Sequence, residues 1–202
     1  MDKYLKHIKK ADPILFRASK GLELWPLTKS ENYFWDLVRK IIGQQLSVKS
    51  AAAIASRFQE LYGADFSPEA VIETRDEKLR KVGLSGTKVS YIKGLALAVN
   101  DKELILAGID KLSNEEIIEE LTKIKGIGPW SAEMFLMFSL ARPDVFSLGD
   151  LGLRRAMERL YEIEDLKLAQ MEEMSLVWSP YRTYASMTLW KTLANEPQIR
   201  LS

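Results

Sequence analysis

Leu121-Thr122-Lys123-Ile124-Lys125-Gly126-Ile127-Gly128-Pro129-Trp130-Ser131-Ala132 is the most informative stretch of the chain. A helix is predicted to end near Gly126, Gly-Ile-Gly turns the chain, and a second helix begins at Pro129, whose fixed φ suits a first helical position. Glycines permit turn conformations and let another backbone approach closely. The first turn of the new helix presents N–H groups that have no partner inside the helix. Together these features form an uncharged cradle suited to a phosphate. Taken alone, a Gly-x-Gly between helices also reads as an ordinary helix–helix turn.

Working outward, the apolar residues keep a helical period. Ser113-Asn114-Glu115-Glu116 is a capping box that opens the helix before the turn. Tyr33, Phe34, Leu37, Val38, Ile41 and Ile42 share one helical face, with Ser30 as the expected cap. A helix is predicted from Ser47 to Tyr62, stopping at Gly63, and another opens at Ser67-Pro68. A short helix precedes Gly83, and a longer one runs from about Thr87 to Val99. After a loop at Ala141 to Gly149, Asp150 opens a helix to about Tyr161, and Ser179-Pro180 opens the last, to about Ala194. No segment alternates with period two over more than a few residues. The expectation is an all-α chain of about ten helices. It forms one domain, 1–202, with the hairpin motif at about 113–140. A soft boundary near Asp101–Asp110 does not justify a cut.

Composition excludes several chemistries. The 202 residues are 47% hydrophobic and 28% charged, ordinary for a folded soluble protein. There is no cysteine, so disulfides, cysteine zinc sites, iron–sulfur clusters and a thiol nucleophile are ruled out. The single histidine, His7, is expected at the surface; it rules out a His-pair metal site and argues against a Ser-His-Asp triad. The opening MDKYLKHIKK is charged and lacks the apolar core of a secretory signal. No apolar stretch reaches spanning length. A soluble intracellular protein without membrane association is expected. Net charge is only +1, but its distribution is uneven. Residues 1–100 carry 17 Lys+Arg against 11 Asp+Glu, and residues 101–202 carry 12 against 17. A polyanion meeting one face and two differently charged solvated surfaces fit that pattern equally well.

The context of the turn narrows the reading. Val145-Phe146-Ser147-Leu148-Gly149-Asp150-Leu151-Gly152 follows it, with Asp150 placed 22 residues after Gly128 at a predicted helix start. In this pairing the chain resembles the helix-hairpin-helix DNA glycosylases, and within them the DNA-3-methyladenine glycosylase II branch. Three further blocks carry the resemblance: Ile42-Gly43-Gln44-Gln45-Leu46-Ser47; Leu79-Arg80 through Gly83-Leu84-Ser85 with Lys88 and Tyr91-Ile92; and Trp178-Ser179-Pro180-Tyr181-Arg182 with Trp190. The likeness covers roughly residues 30–195, and four ordered blocks are far more specific than any one of them.

The resemblance implies two helical lobes with a cleft between them. It also implies an enzyme that extrudes an alkylated base from double-stranded DNA and hydrolyses its glycosidic bond in base excision repair. Asp150 matches the catalytic aspartate. A helix N-terminus suits its negative charge, and one carboxylate stabilises the developing oxocarbenium ion while orienting water. Read from spacing alone, Asp150 is an N-cap, and the four blocks together favour catalysis. Trp130 and Trp190 match aromatic pocket positions, and a cationic base is attracted to such ring faces. Met134 and Leu151 stand where aromatics occur in relatives, leaving a less aromatic pocket. Gly126, Gly128 and Ser131 are the candidate DNA contacts of the hairpin. Gln45, and next Leu46, is the candidate wedge that fills the vacated stack; core packing for Leu46 and surface placement for the glutamines stay open. Lys49 and Lys88 read as phosphate contacts or as solvated lysines. Relatives that also nick the strand carry a hairpin lysine, and Trp130 occupies that position. No organic cofactor and no side-chain metal site is expected, although the resemblance allows a monovalent cation at the hairpin carbonyls. A monomer is expected. The rival readings are a glycosylase for another damaged base, a hairpin protein that binds damaged DNA without cutting it, and a helical scaffold.

Overall fold

Twelve α-helices and no strand make up the described residues, 1–194, of the computed structural model. The last eight residues of the expected 1–202 domain lie outside that description. No described helix is long and apolar enough to cross a membrane. The chain divides into two compact units, one continuous (Lys29–Leu140) and one built from Met1–Thr28 together with the residues from Ala141 onward. The divisions thus fall at 28/29 and 140/141, not near 101–110. Leu104 and Ile109 are buried and anchor that segment in the continuous unit.

The continuous unit holds α3 (Tyr33–Gly43), α4 (Val48–Tyr62), α5 (Pro68–Glu73), α6 (Asp76–Lys81), α7 (Gly86–Asn100), α8 (Asn114–Thr122) and α9 (Pro129–Phe138). In α3, Phe34, Leu37, Val38, Ile41 and Ile42 are buried on one face, as their spacing requires, and Tyr33 is half-exposed. Its cap is Asn32, not Ser30. The Asn32 side chain accepts the Trp35 N–H at 2.8 Å, while the Ser30 hydroxyl accepts the Asn32 N–H, two residues too early. The caps Ser47, Ser67, Ser85 and Ser113 are present, the last as a full capping box. Phe34, Trp35, Phe58, Tyr62 and Phe66 stack together in this unit.

The second unit holds α1 (Asp2–Ala11), α2 (Pro13–Ala18), α10 (Leu151–Leu160), α11 (Leu168–Leu176) and α12 (Arg182–Ala194). Tyr4, Ile8 and Leu15 from the chain start pack with Leu153, Met157, Leu166, Trp178 and Leu189 in one core. Asp12 ties it together: its carboxylate accepts the Ile14 and Leu15 N–H groups, the Trp178 indole N–H and the Tyr161 hydroxyl. His7 is half-buried rather than a plain surface residue, with its Nε2 2.8 Å from the Val177 carbonyl and its ring edge-on to Tyr181.

The last helix opens at Arg182, not at Ser179-Pro180. Asp144 sets the start by accepting the Arg182 N–H at 3.1 Å and gripping its guanidinium at 2.8 and 2.9 Å. The Ser179 hydroxyl, expected as a cap, donates to the same carboxylate. Partial burial pushes the Asp144 carboxyl up, but Arg182 and Ser179 outweigh it and hold it below the usual carboxylate range.

Candidate functional site

In the continuous unit, α8 ends at Thr122 and α9 begins at Pro129, and the turn between them is set by its glycines. Gly126 has φ +96°, and a Cβ there would sit 2.4 Å from the Tyr91 ring, so only glycine fits. Gly128 differs. Its φ of −95° is open to any residue, and a Cβ built there meets nothing within 4 Å. Internal packing demands the first glycine, whereas the space beside the second is open. Gly128 and Pro129 are exposed at the start of α9, where the N–H groups of its first turn begin.

Beside the turn lies the loop after α3. Gln45 is exposed, with a left-handed φ of +56°, and Leu46 is 39% exposed. Leu46 is therefore not a core residue. Val48, the first residue of α4, is 89% exposed and extends this apolar tip. The Gln44 side chain reaches across to the hairpin and donates to the Gly126 carbonyl at 2.7 Å. Lys88 is not simply a solvated lysine, because its ammonium donates to the carbonyls of Ile42 and Gln44 at 2.8 and 2.7 Å. Lys49 is exposed. Gln44, Gln45, Lys88, Tyr91, Gly126, Gly128, Trp130 and Ser131 line one open depression of about 760 Å³. Trp130 is 48% exposed at its rim, and Ser131 is nearly buried. Met134, one turn further along α9, is 5% exposed and faces the interior.

In the second unit, Asp150 is the N-cap of α10. Its Oδ1 accepts the Leu153 N–H at 2.7 Å and the Trp190 indole N–H at 3.1 Å. The residue is 8% exposed. Leu151, next to it, is 57% exposed. Gly152 makes room for this arrangement, since a Cβ there would lie 3.0 Å from Asp150 Oδ1 and 3.4 Å from the Trp190 ring. The structure thus joins Asp150 to Trp190, and Gln45 to Gly126, Gly128, Ser131 and Trp130 around one depression, while Leu46 follows Gln45 on the exposed loop.

Sequence reasoning did not single out Gln44, Tyr91 or Gly152. Gln44 and Tyr91 stood inside the quoted blocks, but their contacts across the fold carry no local signal. Gly152 was legible only as a helix-weakening residue two positions after a capping aspartate. Among the described residues, no group of three or more His, Asp or Glu side chains gathers as a metal site.

A model of the HhH-GPD superfamily of base excision DNA repair proteins matches residues 38–180. DNA-3-methyladenine glycosylase 1 of Schizosaccharomyces pombe is 35% identical over 187 residues, covering 88% of this chain and 77% of the relative. A putative DNA-3-methyladenine glycosylase of Bacillus subtilis is 32% identical over 83% of this chain, which spans only 61% of that relative's length. The crystal structure of a DNA-3-methyladenine glycosidase from Bacillus halodurans superposes with a TM-score of 0.83 at 37% identity, covering 95% of this chain and 89% of the other. A Schizosaccharomyces pombe 3-methyladenine DNA glycosylase, solved with abasic DNA, gives 0.80 at 32% identity, covering 94% and 95%.

Proposed function

The chain belongs to the HhH-GPD superfamily of base excision DNA repair proteins, and from that membership we propose that it is a monofunctional DNA glycosylase releasing alkylated bases of the 3-methyladenine and 7-methylguanine type from double-stranded DNA. The observation that carries the reading is Asp150, a nearly buried carboxylate at a helix N-terminus, oriented by the Leu153 and Trp190 N–H groups. A capping role alone requires neither the indole contact nor the glycine that makes space for it.

The chemistry follows from the lesion. A purine alkylated at N3 or N7 already carries positive charge, so it departs with the bond electrons and needs no general acid. The barrier is the cation left on the sugar. A fixed anion beside that cation stabilises it without reorganising at the moment of reaction. The same carboxylate orients water and takes its proton as water adds to the sugar carbon, leaving an abasic site. The half-exposed indole of Trp130 supplies a face for a cationic base, and Leu151 supplies apolar surface beside the carboxylate. Gly128 and the first turn of α9 grip phosphate through backbone N–H groups. Gln45 and Leu46 fill the place the base leaves.

This reading assigns the nucleophile to water rather than to an amine. Trp130 occupies the position of the strand-nicking lysine in relatives. Lys123 is ion-paired with Glu120 at 2.7 Å, and Lys125 is exposed. At the turn, the Gly126 carbonyl takes the Gln44 amide, so a monovalent cation there would draw on neighbouring carbonyls. The deciding experiment is product analysis of methylated duplex DNA after incubation with the protein. Free 3-methyladenine and 7-methylguanine with intact strands are expected. Release of neither base, from a folded protein that binds duplex DNA, would favour the non-cutting rival.

A further inference from the structure

Lys88 and Tyr91 lie three residues apart on α7 and so share a face. Both reach toward neighbouring turns, Lys88 to the end of α3 and Tyr91 to Gly126. The Lys88 ammonium bridges the carbonyls of Ile42 and Gln44 at the C-terminal end of α3, where the helix cannot satisfy its own acceptors and its dipole is negative. The next residue is Gln45, a side-chain-bearing residue held at φ +56°. L residues leave that region unless their surroundings over-determine it. Lys88 fixes the carbonyl immediately before Gln45, and the Leu46 N–H closes back on the Gly43 carbonyl at 3.2 Å. On the other side, the Gln44 amide bonds the Gly126 carbonyl, and Tyr91 fills the space where a Gly126 side chain would be. Burial lowers the Lys88 amine below its ordinary value. Even partly burying an ammonium is unfavourable unless its bonds are good, and both acceptors lie within 2.8 Å.

We propose that Lys88 and Gln44 are positioning residues that fasten the Gln45–Leu46 tip to the Gly126 turn, so that the side chain entering the duplex and the backbone gripping phosphate keep one register. The proposal rests on the glycosylase reading. A wedge that displaces a stacked base bears the resistance of the stack. If its loop yields, phosphate binding continues while extrusion fails. Lys88 and Gln44 touch neither the base nor the sugar, and they act through Gln45 and Gly126.

The test uses the full chain as Lys88→Met, Lys88→Arg and Gln44→Leu, on a duplex carrying one 7-methylguanine beside a fluorescent 2-aminopurine that brightens on unstacking. For Lys88→Met, affinity for undamaged duplex should stay within about three-fold of wild type, because phosphate contacts position without extruding. Its saturating single-turnover rate and its fluorescence rise should both fall about ten-fold or more, since small misplacements are amplified in rate. Lys88→Arg should recover most of both. A folded Lys88→Met with wild-type rate and fluorescence overturns the proposal. So does a loss of undamaged-DNA affinity that parallels the loss of rate, because that marks general support of the fold. If Lys88→Met does not fold, Gln44→Leu must show the same separation, and a wild-type rate there overturns the proposal. Should the wild type release no alkylated base, the glycosylase reading falls. Amide exchange then decides separately: faster exchange at Gln45 and Leu46 in Lys88→Met keeps the positioning role, and unchanged exchange removes it.

Discussion

Replacing Asp150 with asparagine separates chemistry from architecture at a single atom. Asp150 Oδ1 accepts both the Leu153 N–H and the Trp190 indole N–H, and an asparagine in the same rotamer keeps that acceptor. Asparagine caps helices about as well as aspartate, so the variant should lose at most a few tenths of a kcal/mol of stability. What disappears is the anion. A fixed charge facing a developing cation is worth roughly 100- to 1,000-fold in rate, or about 3–4 kcal/mol of barrier. Asp150→Ala makes the complementary cut. It removes the cap at about 1 kcal/mol and leaves the Leu153 and Trp190 donors to find other partners, at about 1–3 kcal/mol for each that fails. The assay is single-turnover release of 7-methylguanine from methylated duplex, with thermal unfolding followed by circular dichroism on the same samples. Asp150→Asn should be folded and at least about 100-fold slow, and Asp150→Ala should be slow and visibly less stable. A folded asparagine variant that releases the base at near the wild-type rate would remove Asp150 from the mechanism and leave it as an N-cap.

Four further outcomes are expected. Gly128→Val should keep its unfolding temperature and lose affinity for every duplex sequence alike, with a shallow salt slope, whereas Gly126→Ala should lose stability because its Cβ would meet Tyr91 at 2.4 Å; equal melting losses at both sites refute the distinction. Gly152→Ala should melt no lower than wild type, since alanine favours a helix by up to about 1 kcal/mol, yet release bases several-fold more slowly because its Cβ presses on Asp150 and Trp190; an unchanged rate rejects that crowding. Borohydride should trap no covalent adduct between the protein and lesion-bearing duplex, since no lysine occupies the Trp130 position, and a trapped adduct lost on lysine substitution would reassign the enzyme to the strand-nicking class. Lys40 contributes to the pH dependence of stability: burial lowers its amine from 10.5 to about 8, against the opposing charge of Asp36. Between those values the unfolded chain binds more protons than the folded one, so this group adds stability as pH rises through the window. Urea midpoints of wild type should therefore gain on those of Lys40→Met from pH 7.5 to 10, and parallel curves contradict the assignment.

Period and punctuation carried much of the fold. The apolar face of α3, the helix starts at Ser47, Ser67 and Ser113 and the Gly63 stop were legible because each is decided within a few residues. Elements failed where a distant partner decides. α1 reads as a run of lysines, and only Tyr4 and Ile8, one turn apart, mark the face that meets Leu153 and Trp178. α2 and α11 are short helices whose few apolar residues gain meaning only in the same core. Asp144 displaced Ser179 as the organiser of α12 from 38 residues before Arg182, a distance no local pattern spans. Much the same division holds in the site. The helix boundaries at Asp150 and at the hairpin glycines were legible locally, whereas the catalytic role expected of Asp150 came from the family resemblance. Lys88 was misread because its partners are backbone carbonyls, which carry no residue-type signature.

The order in which the two units lie along the chain has a consequence for synthesis. Residues 29–140 form a continuous unit, and the other is assembled from both sides of it. Chains fold domain by domain as they emerge, at roughly 5–20 residues per second. The unit bearing the hairpin and the Gln45 tip is complete once Leu140 has cleared the ribosome. Tyr4, Ile8 and Leu15, made first, must wait for Leu153, Trp178 and Leu189 before their core can close. On the proposed function, the nascent protein would for a few seconds at that rate hold the hairpin without Asp150 in place. Chains broken off between 140 and 190 would carry the same imbalance permanently and, on that reading, would occupy a duplex without turning it over. Such fragments also expose the apolar faces of α1 and α2, which marks them for aggregation or removal.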